Sequence, residues 1–301
     1  MILWPQARND DGNLLRTVRI EYPSRVNESE AGIKLPESVL RISYGSCTDI
    51  GLVRSENQDA FGKFPAENLD ATTPKGQVFI VADGMGGHRG GREASALAVD
   101  TIQQAYFSDP SDLIEECLRN AFQKANEAIY RHGRSNPLLA AMGTTCSTLV
   151  VRENKAFIAH VGDSRVYRIT RQNVKQLTKD HSQVAEMVRR RELSKEQAKK
   201  HPQRSILYRA LGVGPEVEVD IIPNLTLRAD EYCLLCSDGL YNNVEDQEMQ
   251  RFVITNPPSA ACKALVDLSN DRGGQDNITV LVVHIEGSSS VLDGVKRLLG
   301  R

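Results

Sequence analysis

The sequence predicts an α+β protein whose helices and strands occupy separate layers. Three observations carry this. Two helical patterns, 91–107 and 111–132, follow one another with only the Pro110 break between them. The apolar, β-branched runs CSTLVV and KAFIAHV also stand back to back, joined by the polar turn RENK, as in a hairpin. A regular βαβ alternation, the mark of a parallel sheet, is missing.

Residues 1–40 are polar, carry Pro5, Pro23 and Pro36 and keep neither strand nor helix periodicity, so they form an extension of unknown role ahead of the domain. RISYGSCTD (41–49) and QVFIVAD (77–83) have strand composition. Gly91 to Phe107 has helical composition. From Ser111 to His132 the apolar residues Leu113, Ile114, Cys117, Leu118, Ala121, Phe122, Ala125 and Ile129 recur at helical spacing, with Ser111 as the expected N-cap. VYRI and VKQL are expected to continue the hairpin's sheet. Residues 182–205 break the pattern: EMVRRRELSKEQAKKHP is rich in Lys and Arg, which predicts a solvated helical flap. Strands return at EVEVDII, EYCLLCS and ITVLVVHI, with helices over 246–254 and 259–271. The domain therefore runs 41–286, followed by a short Gly/Ser-rich tail, 287–301.

A composition of 40% hydrophobic and 25% charged residues in 301 is that of a globular protein. With 37 basic against 39 acidic residues there is no field to attract a nucleic-acid backbone. The start, MILWPQARND, lacks a cationic leader with an apolar core, and no run reaches the roughly 18 apolar residues that span a bilayer. A cytoplasmic monomer without nucleic-acid or membrane partners is the expectation. The six cysteines are scattered through apolar segments, as buried thiols are. Cys233 and Cys236 form a C-x-x-C, but an extended chain points them to opposite faces and no second pair stands at zinc-like spacing.

The aspartates are the informative residues. Asp83 ends VFIVAD and Asp238 ends YCLLCSD, each followed by glycine; Asp163 follows FIAHVG, and Asp276 immediately precedes NITVLVV. One carboxylate at a strand end ordinarily caps a turn. Four that converge on one sheet edge repel strongly unless a cation neutralises them. All-oxygen ligands suit Mg²⁺ or Mn²⁺, and no thiol or histidine cluster accompanies them to favour zinc. A glycine after the aspartate lets the backbone turn and offer its carbonyl. Two ions sharing a carboxylate, about 4 Å apart, lower the pKa of a water between them and supply a nucleophile at neutral pH. No G-x-S-x-G or Arg-flanked cysteine offers a covalent alternative. Arg54, in GLVRSENQD, is the candidate fork for phosphate oxygens.

In order along residues 41–286, GLVRSENQD, VADGMGGHRGG, MGTT, HVGDSR, LTKDHS, HPQRSILYRALG, SDGL and QDNITV resemble the metal-dependent type 2C serine/threonine protein phosphatases, in particular their bacterial branch. The resemblance implies a four-layer αββα sandwich: a central antiparallel β-sandwich flanked by pairs of helices, with metals in a cleft at one end. It implies hydrolysis of phosphoserine and phosphothreonine in partner proteins, opposite a Ser/Thr kinase. Carried over by motif, Asp83 bridges two core Mn²⁺ or Mg²⁺ ions, the Gly84 carbonyl ligates one, and Asp238 and Asp276 hold the other. Asp59 acts through water. Asp163, with Asp238, matches the position of a third, weaker ion in bacterial relatives, and Arg54 matches the phosphate-binding arginine. Eukaryotic relatives read Asp-Gly-His-Gly-Gly, whereas Met85 stands here and His88 comes three residues later. His88 is thus open as general acid, substrate contact or loop contact, with metal-bound water as the competing proton source.

Two other classes fit the same residues: a catalytically silent phosphoprotein-binding module, and a small phosphate-ester hydrolase whose flap closes over metabolite. The intact ligand set argues against the first. His160 and His181 are expected to be structural. Thr144 and Thr145 are expected to bond locally in a turn, and Arg189–Arg191 to be a solvated face or a contact for acidic segments.

Overall fold

The computed structural model describes residues 41–65, 74–86 and 90–287. The expected extension 1–40, His88 and the tail beyond Gly287 lie outside the described residues. In chain order the first elements are β1 (Arg41–Asp49), β2 (Asp59–Phe64), β3 (Gln77–Met85), α1 (Gly90–Ser108) and α2 (Ile114–Ser135). Next come β4 (Gly143–Thr144), β5 (Cys146–Arg152), β6 (Lys155–Val161), β7 (Arg165–Ile169) and β8 (Val174–Gln176). The flap carries α3 (Gln183–Arg189) and α4 (Lys195–Lys199). The chain continues through β9 (Asp220–Thr226), β10 (Glu231–Cys236), α5 (Asp238–Tyr241), α6 (Asp246–Thr255), α7 (Pro258–Asp271) and β11 (Ile278–Glu286).

Two antiparallel sheets result. One has the order β1-β11-β10-β7-β8, the other β2-β3-β5-β6-β9 with β4 attached to β3. Alternation along β3 explains the layering: Phe79 and Val81 face the core between the sheets, while Val78, Ile80 and Ala82 face α1 and α2. The other sheet repeats this, with Leu281 and Val283 inward and Val280 and Val282 against α6 and α7. Both faces of each sheet are therefore covered. This is why the strands read as continuous apolar runs, and the arrangement is the αββα sandwich that the resemblance implied. Cys233 joins the inter-sheet core and Cys236 the helix-side core, on opposite faces of β10. Among the described residues no helix is long and apolar enough to cross a membrane.

Four local expectations need correction. VYRI and VKQL do not continue the hairpin's sheet; β7 pairs with β10 in the other sheet. The crossing happens at Gly162, whose φ of +103° is open to glycine and whose Cβ would lie 2.5 Å from that of Thr145. Helix α2 begins at Ile114, because Ser111 turns its hydroxyl to accept the Leu113 N–H and donate to Glu116 upstream of the helix. Residues 216–219 precede β9: Val217 and Val219 are buried against the helical layer, and the Gln123 side chain donates to the Val217 carbonyl in place of a neighbouring strand. Their alternation reported burial without sheet pairing. The flap is two short helices, since Arg191 has a φ of +63° and Ser194 caps a new start.

Ile158 is fully buried between the sheets. Truncation to alanine is expected to cost about 3 kcal/mol, read as a lower urea midpoint with an unchanged slope.

Candidate metal centre

The expected site residues arrive from separate elements. Asp59 opens β2 and stands directly opposite Asp83 of β3 in the antiparallel register. Two carboxylates in that relation repel. The Asp83 backbone is fixed from behind: its N–H donates to Thr145 Oγ1 (3.0 Å), and its carbonyl accepts from the Thr145 N–H and the Thr144 hydroxyl (both 2.9 Å). Thr144 and Thr145 are thus not in a free turn, as expected; Thr144 lies in β4, paired with Gly84, and both support Asp83. The Thr145 hydroxyl also meets that of Ser164, next to Asp163. Asp163 itself rides on the Gly162 crossing between sheets. Asp238 is the first residue of α5, directly after β10, and Asp276 stands two residues before β11.

Asp83, Gly84, Asp163, Asp238, Asp276 and Arg54 line one cavity of about 360 Å³, so five predicted ligand positions and the predicted phosphate clamp are brought together. Asp59 does not line it. It stands behind, accepting a hydrogen bond from Ser237 Oγ (2.7 Å). Arg54 is engaged with Asp276, Nη2 to Oδ2 at 2.7 Å, with its side chain half exposed.

The electrostatics are those of crowded carboxylates. Burial pushes Asp83 well above the usual carboxylate range, and Asp59, Asp238, Asp163 and Asp276 each add repulsion. Burial raises Asp59 to about 7, with Asp238 and Asp276 adding to it and Ser237 opposing. Asp163 rises to about 8 through burial, then through Asp238 and Asp180. Asp238 rises to about 6 through burial and Asp276. Against them stand Arg54, beside Asp276 and Asp238, and Arg165, which lowers Asp163 and Asp238.

The residues present fit divalent cations. Oδ1 of Asp59 and Oδ1 of Asp238 are buried with no hydrogen-bond partner, which is costly unless a cation or its water shell satisfies them. The donors are carboxylates and a backbone carbonyl, the set that hard cations prefer. Among the described residues no three His, Cys, Asp or Glu enclose an ion by themselves. Cations of the Mg²⁺ type, which keep several waters, do not require that.

Comparison with known proteins bears on this centre. Residues 53–267 match protein phosphatase 2C. The chain belongs to the protein phosphatase 2C family. A serine/threonine phosphatase stp of Listeria innocua is 41% identical over 243 residues, covering 78% of this chain and 93% of that protein. The crystal structure of the Mycobacterium tuberculosis serine/threonine phosphatase PstP/Ppp superposes with a TM-score of 0.72 at 33% identity, covering 82% of this chain and all of that one. A PstP catalytic domain in complex with two manganese ions gives 0.71 at 30% identity, covering 82% of this chain and 99% of its own. As a member of this family the chain is a phosphoprotein phosphatase, a metal-dependent hydrolase.

Two side chains, Asn277 and Ser237, support this phosphatase centre without a signal in the local sequence pattern. The Asn277 amide donates to the carbonyls of Ile50 (2.9 Å) and Glu56 (3.0 Å) and accepts the Gln58 N–H (2.8 Å), so it holds the loop that carries Arg54. Ser237 links Asp59 to the Thr279 N–H. Gly84 admits no side chain: a Cβ there would lie 2.0 Å from the Gly91 carbonyl oxygen. The positions of Asn277 in QDNITV and Ser237 in SDGL were visible, but a long-range amide contact has no local periodicity. His160 is buried between Ser147 Oγ (2.9 Å) and the Lys179 carbonyl (3.0 Å), and His181 Nδ1 accepts the Gly162 N–H (3.0 Å). Both are structural, as expected.

Without metal, the folded chain keeps protons on Asp59, Asp163 and Asp238 that the unfolded chain releases near its ordinary carboxylate pKa of 3.8. Folded-state proton binding then exceeds unfolded-state binding, so stability falls as pH rises from about 4 to about 8. The melting temperature in chelator is expected to decline over that window, and the gain on adding Mn²⁺ to grow across it. A flat difference between the two curves contradicts the assignment.

Proposed function

We propose that this phosphatase hydrolyses phosphoserine and phosphothreonine in protein substrates, using two core Mn²⁺ or Mg²⁺ ions held by Asp83, the Gly84 carbonyl, Asp238 and Asp276. One observation supports it above the rest: ligands from four distant segments and an arginine line a single cavity. When bound, such a pair of ions supplies an activated water and neutralises phosphate charge. The relative PstP, crystallised with two manganese ions, supports the count.

The chain's own groups take the remaining tasks. Asp83, opposite Asp59 across the strand pair, would serve both ions, and Asp59 would orient water. Arg54, paired here with Asp276, would be free to turn to the substrate where a cation takes that carboxylate, and its planar fork suits two non-bridging phosphate oxygens. Asp163, which Asp238 pushes up, and Asp238 would hold a third and weaker ion. The departing serine or threonine oxygen needs a proton, for which His88 and a bound water are the candidates. The substrate chemistry places the enzyme opposite a Ser/Thr kinase. We propose further that it works as a monomer in the cytoplasm: the six cysteines are free thiols, five of them buried, which suits a reducing compartment.

Turnover of phosphoserine and phosphothreonine peptides is expected to require Mn²⁺ or Mg²⁺ and to stop in chelator, with sugar and nucleotide phosphates poorer substrates. Asp83→Asn and Asp238→Asn are expected to lower kcat on the order of 1000-fold, the several kcal/mol that metal-borne charge stabilisation contributes. Arg54→Ala is expected to raise KM about 10-fold, the loss of one charge-assisted fork. Undiminished turnover in chelator would sink the reading.

A further inference from the structure

A larger cavity opens from the metal cavity. It encloses about 920 Å³ against about 360 Å³ and shares Arg54, Asp163, Asp238 and Asp276 with it. From those residues it extends to the flap helices α3 and α4 on one side and to residues 242–246 on the other. One phosphorylated side chain fills only a fraction of this space. The rest is available to neighbouring residues of the substrate.

The flap wall is cationic, contributing Lys179, Arg189, Lys195, Lys199, Lys200 and Arg204. Two of these charges are already used. Arg189 is paired with Glu186 (2.7 Å), and Lys199 reaches across to Glu245 (2.6 Å). Lys179, Lys195, Lys200 and Arg204 make no side-chain hydrogen bond or ion pair among the described residues; of the acids on these walls, Glu196 is bonded to Ser194 with Lys199 and Lys195 close by, and Asp246 has no such partner. Of the three-arginine run 189–191, only Arg189 lines the cavity. Unpaired lysines on a convex surface are ordinary. Exposed lysines gathered along a concave cleft whose own ligand is anionic add up to a one-signed potential instead.

We propose that the flap wall is a subsite for a second anionic group of the substrate, a phosphoryl or carboxylate group on a residue close to the scissile phosphoserine or phosphothreonine. This rests on the phosphatase reading above and narrows it to multiply phosphorylated or acidic segments. Lys179, Lys195 and Lys200 bind that second group, and the scissile phosphoryl stays with Arg54.

The test compares kcat/KM in Mn²⁺ for one phosphothreonine peptide whose flanking residue is serine, glutamate, phosphoserine or lysine, with p-nitrophenyl phosphate alongside. The phosphoserine- and glutamate-bearing peptides are expected to be favoured about five-fold over the serine peptide, the scale of a few exposed charge pairs. The advantage is expected to shrink with added salt and to fall to about one in K179A/K195A/K200A. In the corresponding K179E/K195E/K200E enzyme the lysine-flanked peptide becomes the better substrate. An advantage for phosphoserine alone assigns the subsite to phosphoryl groups, and one shared with glutamate assigns it to anions generally. No advantage in the wild type, or one that survives the alanine substitutions, overturns the subsite. Should wild type hydrolyse neither p-nitrophenyl phosphate nor the serine peptide, the phosphatase reading fails instead; fluorescence anisotropy of the same peptides then still reads the subsite.

Discussion

Mutual repulsion among carboxylates at one end of the sandwich is the constraint on which the rest of the structure turns. Asp83, Asp163 and Asp238 are forced toward their protonated forms by burial and by one another. A centre that sets Arg54 and Arg165 against them, and leaves unpartnered carboxylate oxygens on Asp59 and Asp238, is incomplete until divalent charge arrives. Two fully covered sheets make such a centre tolerable. Their cores carry the stability, so the loops at the end are free to hold a cluster that opposes folding.

The rigidity of that end comes from small, well-satisfied polar contacts. Asn277 ties the Arg54 loop to the segment of Asp276. Thr144 and Thr145 fix the backbone of Asp83 and touch the crossing at Gly162, so that Asp163 is set by the same few atoms. His181 adds another strand to this mesh. Its ring accepts from Gly162, and its carbonyl accepts the Tyr208 N–H, joining the Asp163 loop to both ends of the flap. The metal centre and the flap therefore share a root.

The same flap separates two kinds of charge. Inside, acidic ligands create the chemistry; outside, along the larger cavity, unpaired lysines present a positive wall. In the proposal above, the scissile phosphoryl belongs to the first and a neighbouring anion to the second. Family membership fixes the reaction, whereas selection among phosphoproteins is proposed to belong to the wall, whose Lys195 and Lys200 lie outside the shared motifs.

By itself the sequence determined the strands β1, β3, β10 and β11, the helices α1, α2, α6 and α7 to within a few residues, and the strand-end carboxylates that line the cavity. These are legible because burial on both faces leaves unbroken apolar runs, and because acids placed at strand ends break ordinary composition. Only the tertiary structure decided which sheet β7 joins, since a crossing through three residues at Gly162–Ser164 has the same local pattern as a turn within one sheet. It alone decided that Asp59 stands behind Asp83, that Arg54 is paired with Asp276, and that Asn277 and Ser237 hold the centre together. Those are contacts between residues up to 227 positions apart in the chain. Local periodicity records which face of an element is buried, and it carries no information about the partner on the other side.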